Sequence, residues 1–280
     1  MSALRLAVIG GVNMDILGTP QGAFTPRDSM IGRVVFRAGG VGRNIAAQAK
    51  RLGADVLFVT AFGGDETGRT LKNACEADGL DISRALYTDS PSSVYLAIHD
   101  ENGDMAAAVN DMALLNAMTP RALAPVLPFV STARACVLDA NLPEETLVFL
   151  SQNIAVPLLC DPVSCQKAPR VLPILSRLSA FKPNLYEAKA LSCRETPQDA
   201  AQWLIDKGVQ KVFVSLGAQG VYYSDGTNMG FLAPAAISHA PQTGAGDAMT
   251  AGLAVSLCEG LPVFECAAHG MDAAARHLAQ

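Results

Sequence analysis

The sequence has little clustered charge and no long hydrophobic run. Its 21 Lys and Arg residues are scattered among 26 Asp and Glu residues, which gives a formal net charge of -5. A nucleic-acid groove needs concentrated positive charge to displace counterions from phosphates, so we predict no nucleic-acid partner. No apolar stretch reaches the ~18 residues expected of a membrane-spanning helix, so we predict no membrane partner either.

Metal-binding and disulfide patterns are also missing. The seven cysteines form no CxxC pair, and the chain has only four histidines. Cys160 and Cys165 come closest to a ligand pair, but no second pair follows them. Residues 4–11 are apolar, with neither a basic leader nor a small-residue cleavage site. We therefore predict reduced thiols, no structural zinc and a cytoplasmic location.

Short apolar runs alternate with amphipathic stretches along most of the chain. The apolar runs predict buried strands at residues 4–9, 55–61, 133–139, 157–161, 180–182 and 211–215. The stretches between them predict helices at residues 42–53, 67–77, 120–130, 144–153, 184–192 and 197–207. This alternation is typical of an α/β fold with a mostly parallel sheet between two helical layers. No linker or repeat divides the chain, so we predict one domain over residues 1–280.

Two segments interrupt the alternation. Residues 12–38 contain several Gly and Pro residues, and residues 92–110 alternate apolar and polar positions around the turn at residues 100–103. Both patterns predict hairpins that project from the main sheet. Two interpretations remain open: loop decoration of an α/β core, or a small β-sheet lid over an active site.

The sharpest local signal is the run Gln-Thr-Gly-Ala-Gly-Asp at residues 242–247, before a predicted helix at 248–257. Small residues at a helix entrance let the backbone amides of Gly244, Ala245 and Gly246 approach an anion. The Asp247 carboxylate beside them can accept a proton from a hydroxyl that attacks phosphorus. The structural alternative is a helix start whose first turn carries an acidic residue.

A second signal is Lys-Pro-Asn-Leu-Tyr-Glu at residues 182–187, where a strand ends and a helix begins. Asn184 and Glu187 share one face of the first helical turn, where they can hold hydrated Mg²⁺ and nucleotide phosphates. The structural alternative is a capping box, with Asn184 as the N-cap and Glu187 at the third helical position. The spacing alone favours the capping box.

Two further signals lie near the N-terminus. Gly39 and Gly40 precede a predicted helix whose start carries Asn44, so the backbone there can approach a ligand closely. Asn13 and Asp15 follow the first strand, where open α/β sheets bind ligands. A dinucleotide-binding reading fails because the glycine fingerprint is absent and no helix follows this strand.

In this order and with these spacings, the four signals resemble the ribokinase-like (PfkB) sugar and nucleoside kinases, from about residue 5 to the end. The family's GAGD signature corresponds to residues 244–247, its N-x-x-E motif to Asn184 and Glu187, and its glycine pair to Gly39 and Gly40. The resemblance implies a ribokinase-like three-layer αβα core and a β lid formed by about residues 12–38 and 92–110. It also implies a homodimer formed through that lid.

Within the family, residues 39–46 and 110–112 look most like bacterial pseudouridine kinases. That resemblance implies phosphorylation of the 5′-hydroxyl of pseudouridine by ATP, with Asp247 as general base and the amides of Gly244, Ala245 and Gly246 as an anion hole. It implies Mg²⁺ at Glu187. The implied acceptor residues are Asn13, Asp15, Gly39, Gly40, Asn44, Asn110, Asp111 and Asn141. The implied ATP residues are Asn184, Ser215, Gly217, Gly220 and Thr243.

Two departures from the family pattern affect cofactors. Pro241 offers only a carbonyl where many relatives place an acidic or amide residue that helps to bind a potassium-like ion, so activation by K⁺ is left open. Residues 267–280 correspond to a segment that walls the adenine pocket, and the short end of the chain there predicts altered nucleotide affinity or donor choice.

Other functions remain open on the sequence alone. A kinase for ribose or another nucleoside would use the same residues, and a sugar-phosphate acceptor would need cations such as Arg33, Arg37 and Arg43. A non-catalytic sugar or nucleoside sensor is an alternative from a different class.

Overall fold

The computed structural model describes residues 4–234 and 244–279. The strands of these residues are β1 (Arg5–Ile9), β2 (Asn13–Pro20), β3 (Gly32–Gly39), β4 (Asp55–Val59), β5 (Ala61–Gly63), β6 (Leu86–Thr88), β7 (Val94–His99), β8 (Met105–Asp111), β9 (Ala135–Asp139), β10 (Leu158–Asp161), β11 (Ala180–Phe181), β12 (Val212–Ser215), β13 (Val221–Ser224) and β14 (Met229–Leu232). Their α-helices are α1 (Val41–Arg51), α2 (Glu66–Ala77), α3 (Pro120–Leu123), α4 (Leu127–Val130), α5 (Glu144–Asn153), α6 (Leu185–Ser192), α7 (Pro197–Asp206), α8 (Ala245–Glu259) and α9 (Val263–Leu278). Short 3-10 helices span Ala113–Ala117, Ala124–Val126, Ala168–Arg177 and Gly217–Gln219.

The central sheet has the strand order β14-β13-β12-β11-β10-β9-β1-β4 within the described residues. The strands from β4 to β12 in this order pair in parallel, whereas β13 and β14 pair antiparallel at the far edge. Parallel strands need crossover connections, and helices between the strands supply most of them. The sheet is therefore mostly parallel, as the sequence predicts.

Hydrophobic clusters cover both faces of this sheet. Ala7 and Ile9 of β1 belong to one cluster, and Leu6 and Val8 belong to the other. Because successive side chains of a strand point to opposite faces, the two clusters lie on opposite sides of the sheet. Helices α5, α6 and α7 pack in the first cluster, and α1, α2, α8 and α9 pack in the second. The predicted three-layer αβα core is confirmed.

A separate four-stranded sheet has the order β3-β2-β7-β8. Antiparallel pairing joins β2 to β3 and β7 to β8, and a parallel pairing of β2 with β7 joins the two hairpins. These strands come from the two segments that interrupt the α/β alternation, and β8 extends to Asp111. The small β-sheet of the predicted fold is thus present. Its action as a lid and the single domain over residues 1–280 stay predictions.

Several element boundaries differ from the sequence predictions. The helix predicted at residues 120–130 is broken into α3, a 3-10 turn and α4, because Pro125 and Pro128 lack the N–H that a continuous helix needs. The strand predicted at 55–61 divides into β4 and β5 around Thr60. Helix α8 begins at Ala245, three residues before the predicted start, so Asp247 lies inside its first turn.

Three absences hold for the described part of the chain. None of its helices combines the length and the apolarity needed to cross a bilayer. All seven cysteines lie in this part, and none forms a disulfide. No three His, Cys, Asp or Glu side chains within residues 4–234 and 244–279 are grouped so that they could hold a metal ion.

Candidate active site

Polar residues follow several strands at one edge of the central sheet. β9 ends at Asp139 and β10 at Asp161, while Lys182 and Asn184 come directly after β11. Parallel strands end at the same edge, where open α/β sheets bind ligands. Contacts connect these strand ends, since the N–H of Gly11 after β1 donates to Asp139 Oδ2 at 2.8 Å. The sheet therefore gathers residues that are far apart in sequence.

Asp247 is half-buried in the first turn of α8. The side-chain amide of Asn44, at the start of α1, donates to Asp247 Oδ2 at 2.9 Å. Burial is the main cause that raises the pKa of Asp247 to about 7, and the negative charge of Asp161 adds to the rise. The hydrogen bond from Asn44 opposes it. A carboxylate with a pKa near neutrality is suited to general-base catalysis.

The start of α8 presents backbone N–H donors. Gly244 is the N-cap, with a φ of 88°, and among residues 4–234 and 244–279 no side chain caps this end of the helix. A Cβ on Gly244 would lie 2.7 Å from His277 Nε2, so both the backbone conformation and the space require glycine. The first amides of a helix have no intrahelical partner and attract anions. Gly244, Ala245 and Gly246 therefore form a potential anion cradle beside Asp247. Thr243 and Pro241 lie outside the described residues.

A buried ionic cluster lies beneath this cradle. Asp161 Oδ2 is 3.5 Å from Lys182 Nζ and accepts a hydrogen bond from Thr250 Oγ1 at 2.9 Å. Burial opposes the charge on Lys182, but the nearby carboxylates of Asp161, Glu187 and Asp247 prevail and raise the pKa of its ammonium. Lys182 therefore stays protonated inside the protein.

Asn13 and Asp15 lie at the start of β2 in the small sheet. Asn13 Nδ2 donates to Asp15 Oδ1 at 2.6 Å, and Asn13 pairs with Gly39 in the β2–β3 ladder. A Cβ on Gly39 would collide with the Asp15 carboxylate, and one on Gly40 would lie 2.6 Å from the Gly11 carbonyl oxygen. Burial raises the pKa of Asp15. The glycine pair therefore allows the small sheet to approach the end of β1.

Asn44 accepts a hydrogen bond at its Oδ1 from Nη1 of its neighbour Arg43, at 3.4 Å. Arg43 donates to the Ala38 carbonyl at 2.9 Å and forms an ion pair with Asp78 at 2.5 Å. These contacts use the Arg43 guanidinium inside the protein, at the base of α1. Arg43 is therefore a structural support for the first turn of α1.

Asn141 lies next to the end of β1 and binds a lysine. Its backbone N–H donates to Asp139 Oδ1 at 2.9 Å, and its Oδ1 accepts from Lys167 Nζ at 2.6 Å. A Cβ on Gly11 would lie 3.2 Å from Asn141 Nδ2. Burial raises the pKa of Asp139 to about 6. Burial also lowers the pKa of Lys167.

Asn110 and Asp111 lie apart from these residues, on β8. Both are exposed, and neither side chain has a hydrogen bond to the residues of the sheet edge. Asp15, Tyr95 and Asn110 are in register across three strands, so Asn110 is on the Asp15 face, about 10 Å away at ~4.8 Å per strand. Asp111 is on the opposite face, where it accepts from the Ala113 N–H. The pair is therefore divided between the two faces.

Asn184 and Glu187 form the capping box that was the structural alternative. The Asn184 N–H donates to Glu187 Oε2 at 2.8 Å, and the Glu187 N–H donates to Asn184 Oδ1 at 2.9 Å. Asn184 also forms a parallel bridge with Ser215. Gly217 and Gly220 flank the next turn with φ values of 58° and 96°. Asn184, Ser215, Gly217 and Gly220 of the predicted nucleotide residues therefore lie close together, and Thr243 lies outside the described residues.

The acidic groups here fit a hydrated Mg²⁺ that arrives with a nucleotide. Burial raises the pKa of Glu187, and the negative charge of Asp161 raises it further, so the two carboxylates repel each other. Mg²⁺ usually keeps several waters and binds through one or two carboxylates together with phosphate oxygens. Glu187, which keeps one oxygen beyond its contact with the Asn184 N–H, can hold such an ion through water.

Sequence reasoning missed several charged and polar residues of the site. Lys182 belongs to the motif at residues 182–187, in which only Asn184 and Glu187 are predicted to bind ligands. The sequence predicts no site role for Asp161, Thr250 or Lys167. Asp161 and Lys182 each follow a short apolar strand, which is a recognisable signal in a parallel sheet. Thr250 and Lys167 carry no comparable signal, because their contacts depend on how helices and loops fold back onto the sheet.

Comparisons with known proteins agree with this geometry. The family described as pfkB family carbohydrate kinase matches residues 3–278. Pseudouridine kinase of Escherichia coli (strain K12) is 37% identical over 268 residues, which cover 93% of this chain and 86% of that protein.

Solved structures give the same result. A carbohydrate kinase from Agrobacterium tumefaciens has a TM-score of 0.83 at 31% identity, covering 97% of this chain and 89% of that one. Ribokinase from Thermotoga maritima has a TM-score of 0.88 at 22% identity, covering 99% and 93%, which confirms the ribokinase-like fold. The chain therefore belongs to the pfkB family of carbohydrate kinases and is a phosphotransferase with an alcohol group as acceptor.

Proposed function

We propose that this kinase transfers the γ-phosphoryl group of ATP to the 5′-hydroxyl of pseudouridine. The observation that carries the proposal is the Asn44–Asp247 hydrogen bond, which joins the start of α1 to a carboxylate of raised pKa in the first turn of α8. The likeness to a pseudouridine kinase over most of both chains supports this choice of acceptor.

In the proposed reaction, Asp247 is the general base. Its carboxylate takes the proton of the 5′-hydroxyl while the oxygen attacks the γ-phosphorus. The amides of Gly244, Ala245 and Gly246 stabilise the charge on the transferred group, because they are fixed by the helix before the reaction begins. Loss of a general base usually costs ~10²–10⁴-fold in rate.

On the nucleotide side, family membership implies ATP together with Mg²⁺. We assign the nucleotide to Asn184, Ser215, Gly217 and Gly220, with Thr243 beyond the described residues. Glu187 would hold the ion through water, since one of its carboxylate oxygens already accepts from Asn184. When bound, Mg²⁺ neutralises phosphate charge. A requirement for K⁺ stays an open prediction, because Pro241 is not described.

On the acceptor side, we assign the ribose hydroxyls to Asp15 and Asn44, and the base to Asn13. Asn141 approaches the sugar from the end of β9, and Gly39 and Gly40 leave room for it. Closure of the small sheet would bring Asn110 to the acceptor from the Asp15 face. Asp111, on the other face, would act through the turn that it supports at Ala113.

For a sugar-phosphate acceptor, one of the three candidate cations is already occupied. Such an acceptor needs free cations, and Arg43 is already paired with Asp78 and the Ala38 carbonyl. Arg33 and Arg37 lie on β3 of the small sheet, where Arg37 is in register with Asp15. Arg37 is thus a cation on the acceptor side, and the choice of a nucleoside rests on the likeness to a pseudouridine kinase.

We also assign a homodimer formed through the small sheet, in the cytoplasm. Phe36, Ile16, Leu96 and Val109 are in register across its four strands and share one face. Phe36 is 64% exposed and Val109 is 68% exposed. A cavity of about 280 Å³ opens on this face beside Ile16 and Leu96. A second copy related by a two-fold axis would cover the same apolar row on both subunits.

The test is ADP release from ATP and Mg²⁺ by the purified protein with pseudouridine, uridine, ribose or no acceptor. Turnover strongest with pseudouridine supports both reaction and acceptor. Turnover confined to another acceptor refutes the assignment of pseudouridine and keeps the mechanism. No turnover with any acceptor favours a non-catalytic binder, which isothermal titration with pseudouridine would then detect.

A further inference from the structure

Lys182 is a buried lysine whose ammonium lies beside the anion cradle. It follows β11, is only 5% exposed, and its Nζ lies 3.5 Å from Asp161 Oδ2. A Cβ added to Gly246 would lie 3.8 Å from the same Nζ. The ammonium therefore lies next to Gly246, in the first turn of α8.

Within residues 4–234 and 244–279, the contacts of Lys182 use only part of its hydrogen-bonding capacity. An ammonium has three N–H donors, and the Asp161 contact is its one ionic contact within the described residues. Asp161 itself is well satisfied without Lys182, because Oδ1 accepts from the Val163 N–H and Oδ2 accepts from Thr250 Oγ1, each at 2.9 Å. Asp161 is thus fixed by two other groups and can hold the lysine in place.

The charges around the cradle make a fixed cation valuable there. Asp161, Glu187 and Asp247 act on Lys182 as negative charges. Three carboxylates against one ammonium leave the region net negative, which repels a triphosphate. Among the described side chains, Lys182 is the cation closest to Gly246. Its charge is therefore placed to offset this repulsion at the phosphoryl group.

We propose that Lys182 is a further catalytic residue: its ammonium, oriented by Asp161, contacts the phosphoryl group at the Gly246 amide and stabilises the charge that develops there during transfer. This inference rests on the proposed function. The bond formed joins the 5′-oxygen to the γ-phosphorus, and the bond broken joins that phosphorus to the oxygen it shares with the β-phosphate. The hydroxyl proton goes to Asp247, and Lys182 keeps its protons throughout. Asp161 is a positioning residue.

A purely structural ion pair makes a different prediction. If Lys182 only neutralises Asp161, then Lys182→Met leaves an unpaired buried charge, and the double variant Lys182→Met/Asp161→Asn relieves it. Breaking a buried pair is costly, whereas neutral replacement of both partners is often tolerated. Stability would recover in the double variant under both explanations. Activity would recover only if the pair is structural.

The experiment measures kcat, KM for both substrates and Tm for the wild type, Lys182→Met, Asp161→Asn and the double variant. We expect Lys182→Met to lower kcat by roughly 10²–10³-fold, the loss typical of one oxyanion donor, with little change in KM for the acceptor. We expect the double variant to regain Tm and to keep the low kcat. A double variant within about threefold of wild-type kcat would overturn the proposal.

A pH profile gives a second readout. The Lys182 ammonium opposes the raised pKa of Asp247, so its loss moves the acidic limb of kcat/KM to higher pH. An unchanged limb together with an unchanged kcat contradicts the inference. Should Lys182→Met fail to fold, the double variant carries the test, because it buries no charge from the pair.

Lys211→Met is the matched control. Lys211 is half-buried, and its ammonium donates to the Leu261 carbonyl at 2.5 Å, between α8 and α9 and away from the cradle. We expect this variant to lose stability and to keep wild-type kcat. Wild-type protein without any turnover would refute the proposed function itself, whereas normal turnover by Lys182→Met would refute only the role of the lysine.

Discussion

Asp247→Asn separates the stability of this protein from its activity. Asparagine keeps the size of the side chain and an oxygen that can accept from Asn44, but it cannot take up a proton. The pKa of Asp247 rises from 3.8 to about 7 in the folded protein. At roughly 1.4 kcal/mol per unit, this rise corresponds to a cost on the order of a few kcal/mol for ionising the group in the folded state.

The sign of the pH dependence follows from that raised pKa. A group whose pKa is higher in the folded state stabilises the fold below its unfolded pKa, near 3.8, and this contribution is lost as the pH rises through about 7. At pH 8, Asp247→Asn removes the ionisation cost, so we expect a Tm equal to or above that of the wild type. Differential scanning calorimetry at pH 8 measures this.

Activity should change in the opposite direction. The ionised carboxylate is the base, so wild-type kcat/KM with pseudouridine should fall about tenfold per pH unit below pH 7, the pKa of Asp247. We expect Asp247→Asn to lose ~10²–10⁴-fold in kcat and to lack this acidic limb. A coupled ADP assay between pH 5.5 and 8.5 provides both values. Near-normal turnover by the variant, or a flat wild-type profile, would refute the assignment of the base.

Three other perturbations test the remaining parts of the site. Asn44→Ala removes a hydrogen bond that lowers the pKa of Asp247, so the acidic limb of kcat/KM should move to higher pH; an unmoved limb contradicts the pairing. Glu187→Gln can still accept from the Asn184 N–H but lacks the charge. Half-maximal activity should therefore need a higher Mg²⁺ concentration, with Tm little changed, and an unchanged Mg²⁺ titration argues against a metal role. Phe36→Asp places a charge in the exposed apolar row, so light scattering should report a monomer, while a persisting dimer places the interface elsewhere.

The layers of the fold could be predicted because each strand and helix carries its own local pattern. The buried runs of β1, β9 and β10 are short and apolar, and their parallel pairing follows from the helices between them. The predictions were wrong where a local breaker was overlooked, as at Pro125 and Pro128 in the helix predicted at residues 120–130. The hairpin of β13 and β14 and the helix α9 had no sequence prediction.

The site was predictable to the extent that parallel strands end together. That rule places Asn13, Asn141 and Asn184 at one edge without any knowledge of side-chain contacts. The faces of Asn110 and Asp111 could not be derived, because they depend on the register of β8 against β7, and a shift by one residue exchanges them. The position of Lys182 under Gly246 needed the packing of α8 on the sheet.

The connection from β3 to α1 has a mechanical consequence. The chain passes from the last residue of β3, Gly39, through Gly40 directly into the helix whose first turn carries Asn44. We predict that a swing of the small sheet acts as a lever on Asn44, which donates to Asp247. Capture of the acceptor and adjustment of the base would then be a single movement.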